Sequence, residues 1–213
     1  MYPSMYTGYT APNIPGGAEW GFMSDAYPTR ESYSVYGQTT YSFSDQTRVI
    51  TGLRYTEDDV ASCVKNFFAD TCTDLVSSVD ETTGRIAGEY DISDDTMLYA
   101  SYTLGFKPGG SNLTFGRTPQ QDIAAGFKPT VPLVLPIFES ETITALEAGI
   151  KSTLADGKVR ANLAVFMYDY ENLQFQATDP DVFQGGVANI PDSEMSGIEV
   201  EVTALITDNV SLD

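Results

Sequence analysis

Four short segments of the chain share one design: "YSFSDQTRVIT", "YDISDDTMLYA", "STLADGKVRAN" and "ALITDNVSLD". In each, a strand-like run meets a small or polar residue, an Asp, one more turn residue and a second strand-like run. Asp tolerates tight-turn geometry and bonds its own backbone, so this is hairpin chemistry, centred on Asp45, Asp94, Asp156 and Asp208. Between consecutive tight turns the sequence has room for two strands and one much longer connection. These connections are expected at about Asp58 to Gly84, Lys107 to Ser140 and Thr178 to Gly186. All tight turns then lie at one end of the strands and all long loops at the other. An antiparallel meander with that asymmetry has the organisation of an outer-membrane barrel.

The faces of the strands agree. Leu98, Ala100, Tyr102, Leu104 and Phe106 alternate with Met97, Tyr99, Ser101, Thr103 and Gly105. Thr47, Val49, Thr51, Leu53 and Tyr55 alternate with Arg48, Ile50, Gly52, Arg54 and Thr56, and Ile198, Val200, Val202 and Ala204 with Gly197, Glu199, Glu201 and Thr203. One face is mostly apolar; the other carries charge or small groups. Runs such as Thr142 to Thr153 and Lys158 to Asn172 reach ~40 Å at about 3.3 Å per residue, well past the usual soluble strand. Tyr41 and Phe43 beside one turn, and Tyr168 and Tyr170 toward a long loop, sit where interfacial aromatics belong. The expected fold is therefore all-β, an antiparallel meander of about seven strands and the start of an eighth, forming part of a transmembrane barrel.

Composition removes other classes. Thirty acidic residues against eleven basic ones give a formal charge of −19, which excludes a nucleic-acid partner needing clustered Lys and Arg. Histidine is absent, and with it the commonest general base and transition-metal ligand. The two cysteines, Cys63 and Cys72, have no further thiol or imidazole to complete a zinc site. They read as a local disulfide closing a loop in an oxidising compartment, or as two neighbouring thiols. No secretory leader and no transmembrane helix is visible; Ile123 to Phe138 is broken by Lys128, Pro129, Pro132 and Pro136.

Three stretches resemble the barrel of TonB-dependent outer-membrane receptors, the siderophore-type nutrient importers: "DDTMLYASYTLGFKPGG", "LEAGIKSTLADGKVRANLAVFMYDYENLQFQ" and "MSGIEVEVTALITDNVSLD". The matching steps are Gly105 to Gly110, Glu147 to Lys151, Phe166 to Tyr170 and Gly197 to Glu201, in order. The resemblance covers residues 32–213, a partial barrel, and residues 1–31 read as an extracellular-loop-like segment. It implies an N-terminal plug, a contact with the TonB energy transducer and a barrel of about twenty-two strands; plug and remaining strands are absent, so an internal fragment is expected. It further implies a bacterial outer-membrane location, contact with outer-membrane lipid, and active uptake of an iron complex or similar scarce nutrient.

Site candidates follow from both readings. Arg48 and Arg54 on the polar face, with Lys107 and Arg117 near loops, offer charge to an anionic ligand such as a ferric siderophore. Phe115 and Phe127, and with them Phe67, Phe68 and Phe138, offer apolar contact. The alternative for the cations is a salt bridge within the wall. Glu199 and Glu201 project from one face and suit acid–base work or a cation, or simply a polar lumen wall. Asp58-Asp59 and Asp94-Asp95 read as loop and turn residues, and "GFKPGG" as a strand breaking into a loop. No nucleophile, base and oxyanion set is present, so neither an enzyme nor a cofactor is expected. A passive porin and a secreted all-β binding module remain the alternative readings.

Overall fold

The computed structural model describes residues 24–66, 72–112, 134–179, 184–207 and 209–212. Ten strands follow in order: β1 (Ser24–Ser42), β2 (Thr47–Asn66), β3 (Cys72–Ser93), β4 (Thr96–Lys107), β5 (Gly110–Ser111), β6 (Ile137–Phe138), β7 (Glu141–Leu154), β8 (Val159–Asp179), β9 (Gln184–Thr207) and β10 (Val210–Leu212). Eight of them form one sheet in the order β1-β2-β3-β4-β7-β8-β9-β10, and β5 and β6 make a separate two-stranded ribbon. Every pairing is antiparallel. This is the expected meander, with the sheet left open.

The tight turns fall where the sequence places them, each by different local chemistry. Between β1 and β2 the Ser44 hydroxyl accepts from the backbone N–H groups of Gln46 and Thr47, at 3.2 and 3.1 Å. Asp94 and Asp95 alone separate Ser93 from Thr96, which pair across the turn. Between β7 and β8, Ala155, Asp156 and Gly157 all take positive φ, of 53°, 55° and 85°. Gly accepts that geometry freely and Asp more readily than most residues, so this turn depends on both. The turn between β9 and β10 is met at Asn209, whose N–H donates to Thr207 Oγ1 at 3.3 Å; Asp208 lies outside the described residues.

Two of the expected connections need correction. The stretch from Asp58 to Gly84 is not a connection: β2 runs to Asn66 and β3 starts at Cys72, in continuous register from Asp58↔Val79 to Lys65↔Cys72. Val60, Leu75 and Val79 supply the pleated surface, Asp58 is buried against Arg30, and Asp59, Asp74 and Asp80 are exposed acids on paired strands rather than loop residues. Likewise β8 and β9 pair out to Asp179↔Gln184, so the connection there is also shorter than expected. Of the three long connections, only the one between β4 and β7 remains long. The first strand begins at Ser24, within the segment read as loop-like, and pairs with β2 from its first residue.

The sheet has almost no interior of its own. Among the described residues its buried apolar side chains are few, Val60, Leu75, Ala87, Ala177, Ala188 and Ala204, with Val134 of the β4–β7 connection buried beside them. On β4 the side chains of Leu98, Ala100, Tyr102 and Leu104 are exposed, and the alternating Tyr99, Ser101, Thr103 and Gly105 are half-buried. On β8 the same alternation sets exposed Leu163, Val165 and Met167 against half-buried Ala164, Phe166 and Tyr168. Crowding on the polar side and splaying on the apolar side mark a sheet curled toward its polar face, as barrel walls are. Register aligns the residues of this face into rows: Tyr90, Leu98, Ile150, Leu163 and Val200; then Ala100, Ala148, Val165 and Ile198; then Ile86, Tyr102, Leu146 and Met167. A continuous apolar band of this kind is what a membrane strand presents to lipid.

Candidate functional site

The polar face carries a ladder of side chains set by the same register. One row reads Arg48, Glu89, Tyr99, Gly149, Ala164 and Glu199, and the next Ile50, Ala87, Ser101, Glu147, Phe166 and Gly197. Glu147 is the hub. Its carboxylate accepts from Tyr99 Oη at 2.7 Å and from Tyr168 Oη at 3.4 Å. The Lys151 ammonium sits 4.9 Å from the Tyr99 ring centroid, and Tyr168 stacks on Phe166 with centroids 4.8 Å apart. Nearer the tight turns, Asn162 donates to Glu201 at 2.9 Å.

Two glycines of the recognised motifs have a physical role here. A Cβ at Gly149 would lie 2.5 Å from the Leu163 carbonyl oxygen and 2.7 Å from the Tyr99 ring; one at Gly197 would lie 2.8 Å from the Phe166 ring. Each glycine is the hollow over which a cross-strand aromatic lies, which holds the ring flat against the wall. The Glu-x-Gly-x-Lys strand therefore supplies an acceptor, a ring seat and a cation to the neighbouring aromatics at Glu147, Gly149 and Lys151.

Of the candidate ligand contacts, Arg48 is engaged within the wall. It lies just past the first tight turn and donates to Glu89 and, at 2.7 Å, to Asp91 near the end of β3. Arg54 donates to Ser34 Oγ at 2.7 Å and to Thr56 Oγ1 at 3.1 Å, with its guanidinium 5.7 Å from the Tyr36 ring centroid. Lys107 ends β4 with its side chain exposed, and its carbonyl accepts from Gln174. Arg117, Phe115 and Phe127 lie outside the described residues, as do Phe67 and Phe68. Phe138 packs against Gly110 at the base of the β4–β7 connection. Glu199 and Glu201 do share the polar face, two rungs apart. Cys63 is disulfide-bonded, and Cys72 is placed opposite Lys65, one diagonal step from Cys63 on the same face.

Composition and motif reading did not single out Glu147, Tyr99 and Tyr168 as a set, nor the ion pair that covers a buried carboxylate toward the outer end of β2. There Arg30 Nε donates to Asp58 Oδ2 at 2.9 Å, with Asp58 only 3% exposed. The available signal was strand parity combined with register, which the expected loop at Asp58 had interrupted. A hollow of about 540 Å³ lies on the opposite, apolar face, over Gly88, Ala100 and Ala148 and between Ile86, Tyr102, Leu146 and Met167. It is a dip in the apolar outward surface. Among the described residues no group of His, Cys, Asp and Glu is arranged to hold a metal ion, and no helix is long and apolar enough to cross a membrane.

Comparison with known proteins agrees with this geometry. The family model described as "TonB dependent receptor-like, beta-barrel" matches residues 2–212, thirty residues further toward the N-terminus than the sequence motifs reached. The pesticin receptor of Yersinia enterocolitica is 24% identical over 198 residues, which cover 91% of this chain and 26% of that protein. The ferric-pyoverdine BN7/BN8 receptor of Pseudomonas putida is 31% identical over 113 residues, 53% of this chain and 11% of that one. Among solved structures, the ferric yersiniabactin uptake receptor of Yersinia pestis superposes with a TM-score of 0.66 at 20% identity, over 87% of this chain and 26% of that one. A copper transporter superposes with a TM-score of 0.63 at 17% identity, over 86% of this chain and 27% of that one. The chain thus spans about a quarter of the length of the relatives it matches most broadly. With an open sheet, an apolar outward band, a polar inward ladder and a family match running almost end to end, the chain belongs to the TonB-dependent receptor-like β-barrel family.

Proposed function

We propose that this chain forms part of the wall of an outer-membrane receptor that takes up an iron complex, or a similarly scarce nutrient, by TonB-dependent transport. The observation that carries the reading is the division of one sheet into an apolar band and a polar ladder across the span matched by the barrel family. Lipid would cover Leu98, Leu163, Val165 and their row neighbours, and the ladder around Glu147 would line the lumen. The names of the similar receptors for ferric pyoverdine and ferric yersiniabactin favour an iron chelate; the copper transporter of the same fold means that the fold alone does not choose the metal. Energy would come from the inner-membrane TonB transducer, acting through a plug supplied by another part of the protein.

In this reading Arg54 and Lys107, both away from the tight-turn end, offer cationic contacts to an anionic chelate, joined by Arg117, Phe115 and Phe127. Arg48, held by Glu89 and Asp91, serves the wall. Cys72 is the natural partner of Cys63, the chain having only these two cysteines, and the bridge clamps β2 to β3 at the outer margin. Catalysis has no place in this scheme, since the family is one of receptors.

The test is transport by the intact receptor in cells starved of iron. Ferric-chelate accumulation is expected to require both the receptor and the transducer. Accumulation of small solutes that persists after loss of the transducer, in proportion to their outside concentration, would instead establish a passive porin. Recovery of the intact protein as a detergent-free monomer would establish a secreted binding module.

A further inference from the structure

The connection between β4 and β7 leaves the sheet at Lys107 and returns at Glu141, and its two ends zip together as the β5–β6 ribbon through Gly110↔Phe138 and Ser111↔Ile137. That ribbon touches β2 and β3 on one side and β9 on the other. In the sheet order β4, β7 and β8 stand between those strands, so no ladder of backbone hydrogen bonds joins them directly.

Three side-chain carboxamides make the attachment on the β9 side. Asn112 Nδ2 donates to the carbonyls of Leu135 and Val187, at 2.7 and 2.8 Å, and Asn112 Oδ1 accepts from Val187 N–H at 2.8 Å. A carboxamide has two N–H donors and one carbonyl, like a short piece of backbone. Asn112 thus pairs with both the N–H and the C=O of Val187 as a neighbouring strand would. Asn189 treats Glu139 the same way, accepting from its N–H at 2.8 Å and donating to its carbonyl at 3.0 Å. Gln174 donates to the carbonyls of Pro108 and Glu139 at 2.9 and 3.2 Å.

The seat is shaped as well as bonded. Asn112 is 6% exposed and Val134 fully buried, against Ala177 and Ala188. A Cβ at Gly186 would lie 2.5 Å from Val134 Cγ1 and 2.7 Å from Asn112 Oδ1, so only glycine leaves room for both. On the far side Ser111 Oγ and Ser62 Oγ share a hydrogen bond of 2.6 Å. Thr56, Asp58, Val60 and Ser62 are buried on that face of β2, while the alternating residues are exposed.

We propose that the stem of the β4–β7 connection is a cross-brace: it ties the outer ends of β2 and β9 to each other, with Asn112 seated over Gly186 as its lock, and so fixes the curvature of the wall at the outer mouth. The brace goes beyond the uptake reading and does not depend on it, since a porin wall would be held the same way. Asn112 is a positioning residue in this scheme.

The experiment uses the intact protein in lipid, with spin labels on Ala61→Cys in β2 and Glu194→Cys in β9, and amide exchange read at Val187. Asn112→Ala and Gly186→Ala are each expected to broaden the β2–β9 distance distribution and to speed Val187 exchange roughly tenfold, the loss of one native hydrogen bond. Exchange at mid-strand Ala148 stays unchanged. Asn112→Asp keeps the acceptor for Val187 N–H and loses both donors, so its exchange and its distribution fall between wild type and Asn112→Ala. Distance distributions that superpose on wild type in both Asn112→Ala and Gly186→Ala overturn the brace. So does broadening that accompanies faster exchange at Ala148, because it would mark general loosening. If Asn112→Ala does not assemble, Gly186→Ala and Asn112→Asp give the same reading.

Discussion

The lower and outer halves of the same strands make opposite bargains with their surroundings. From the tight turns up to the row of Ile86, Tyr102, Leu146 and Met167, the outward face is apolar and exposed. From the next row, which still holds Leu53 and Leu104 but ends in Asp169 and Glu194, the outward face becomes acidic. There register sets carboxylates directly opposite one another: Glu31 and Asp59, Glu57 and Asp80, Asp169 and Glu194, Glu171 and Asp192. Like charges facing across a ladder repel, and none of these pairs is tolerable in hydrocarbon. The alternation of side chains does not change along a strand; the solvent it answers to does. In the proposed reading the boundary between the halves is the outer surface of the membrane.

The comparison is broken most directly by moving charge between the halves. Val165→Arg, in the middle of the apolar band, is expected to destabilise the folded receptor in lipid vesicles by ~2–4 kcal/mol, read as the shift in denaturant midpoint. Glu194→Arg, on the acidic outer part, should leave the midpoint nearly unchanged. Equal effects at both positions would remove the boundary. Next in size is Gly149→Val: the added atoms meet the Tyr99 ring and the Leu163 carbonyl, and overpacking of this kind costs about 1–3 kcal/mol. The same change at Gly88, where a Cβ meets nothing within 4 Å, should be far milder.

Smaller again is Glu147→Ala, which strands the hydroxyls of Tyr99 and Tyr168 and is expected to cost about 1–2 kcal/mol. The matched Tyr99→Phe should cost less, because it removes donor and need together. The smallest effect is a gain. Asp192→Asn relieves repulsion with Glu171 and should stabilise by ~0.2–1 kcal/mol at low salt, with the gain fading as salt shortens the screening length toward about 3 Å at 1 M. A gain that survives high salt would point away from charge repulsion.

Much of the fold was legible because hairpin chemistry is local. Ser44, Asp94-Asp95 and Ala155-Asp156-Gly157 turn the chain within a few residues, so the turns are found from their residues alone. The apolar rows were legible for the same reason, since a period of two needs only the strand itself. The outer extensions of β2 and β3 were not. Asp58, Asp59, Asp74 and Asp80 resemble loop residues unless the strand opposite is known, and only pairing shows Arg30 meeting Asp58. Arg48 was equally ambiguous: its charge suits a ligand, and only β3 brings Glu89 and Asp91 beside it.

By itself the sequence determined the class of structure. Tight turns at one end, strict alternation and a net charge of −19 without histidine leave an antiparallel wall with one apolar and one polar face, and the ordered motifs name the family. The tertiary structure decided which polar residues meet. Glu147 with its two tyrosines, Gly149 and Gly197 beneath their rings, and Asn112 locked on Gly186 and Val187 join residues far apart in the chain. Such contacts depend on register across several strands and on a connection folding back over the sheet. Neither is encoded in a residue's immediate neighbours, because a hydrogen bond between distant strands becomes favourable only after the intervening ladders have set their spacing.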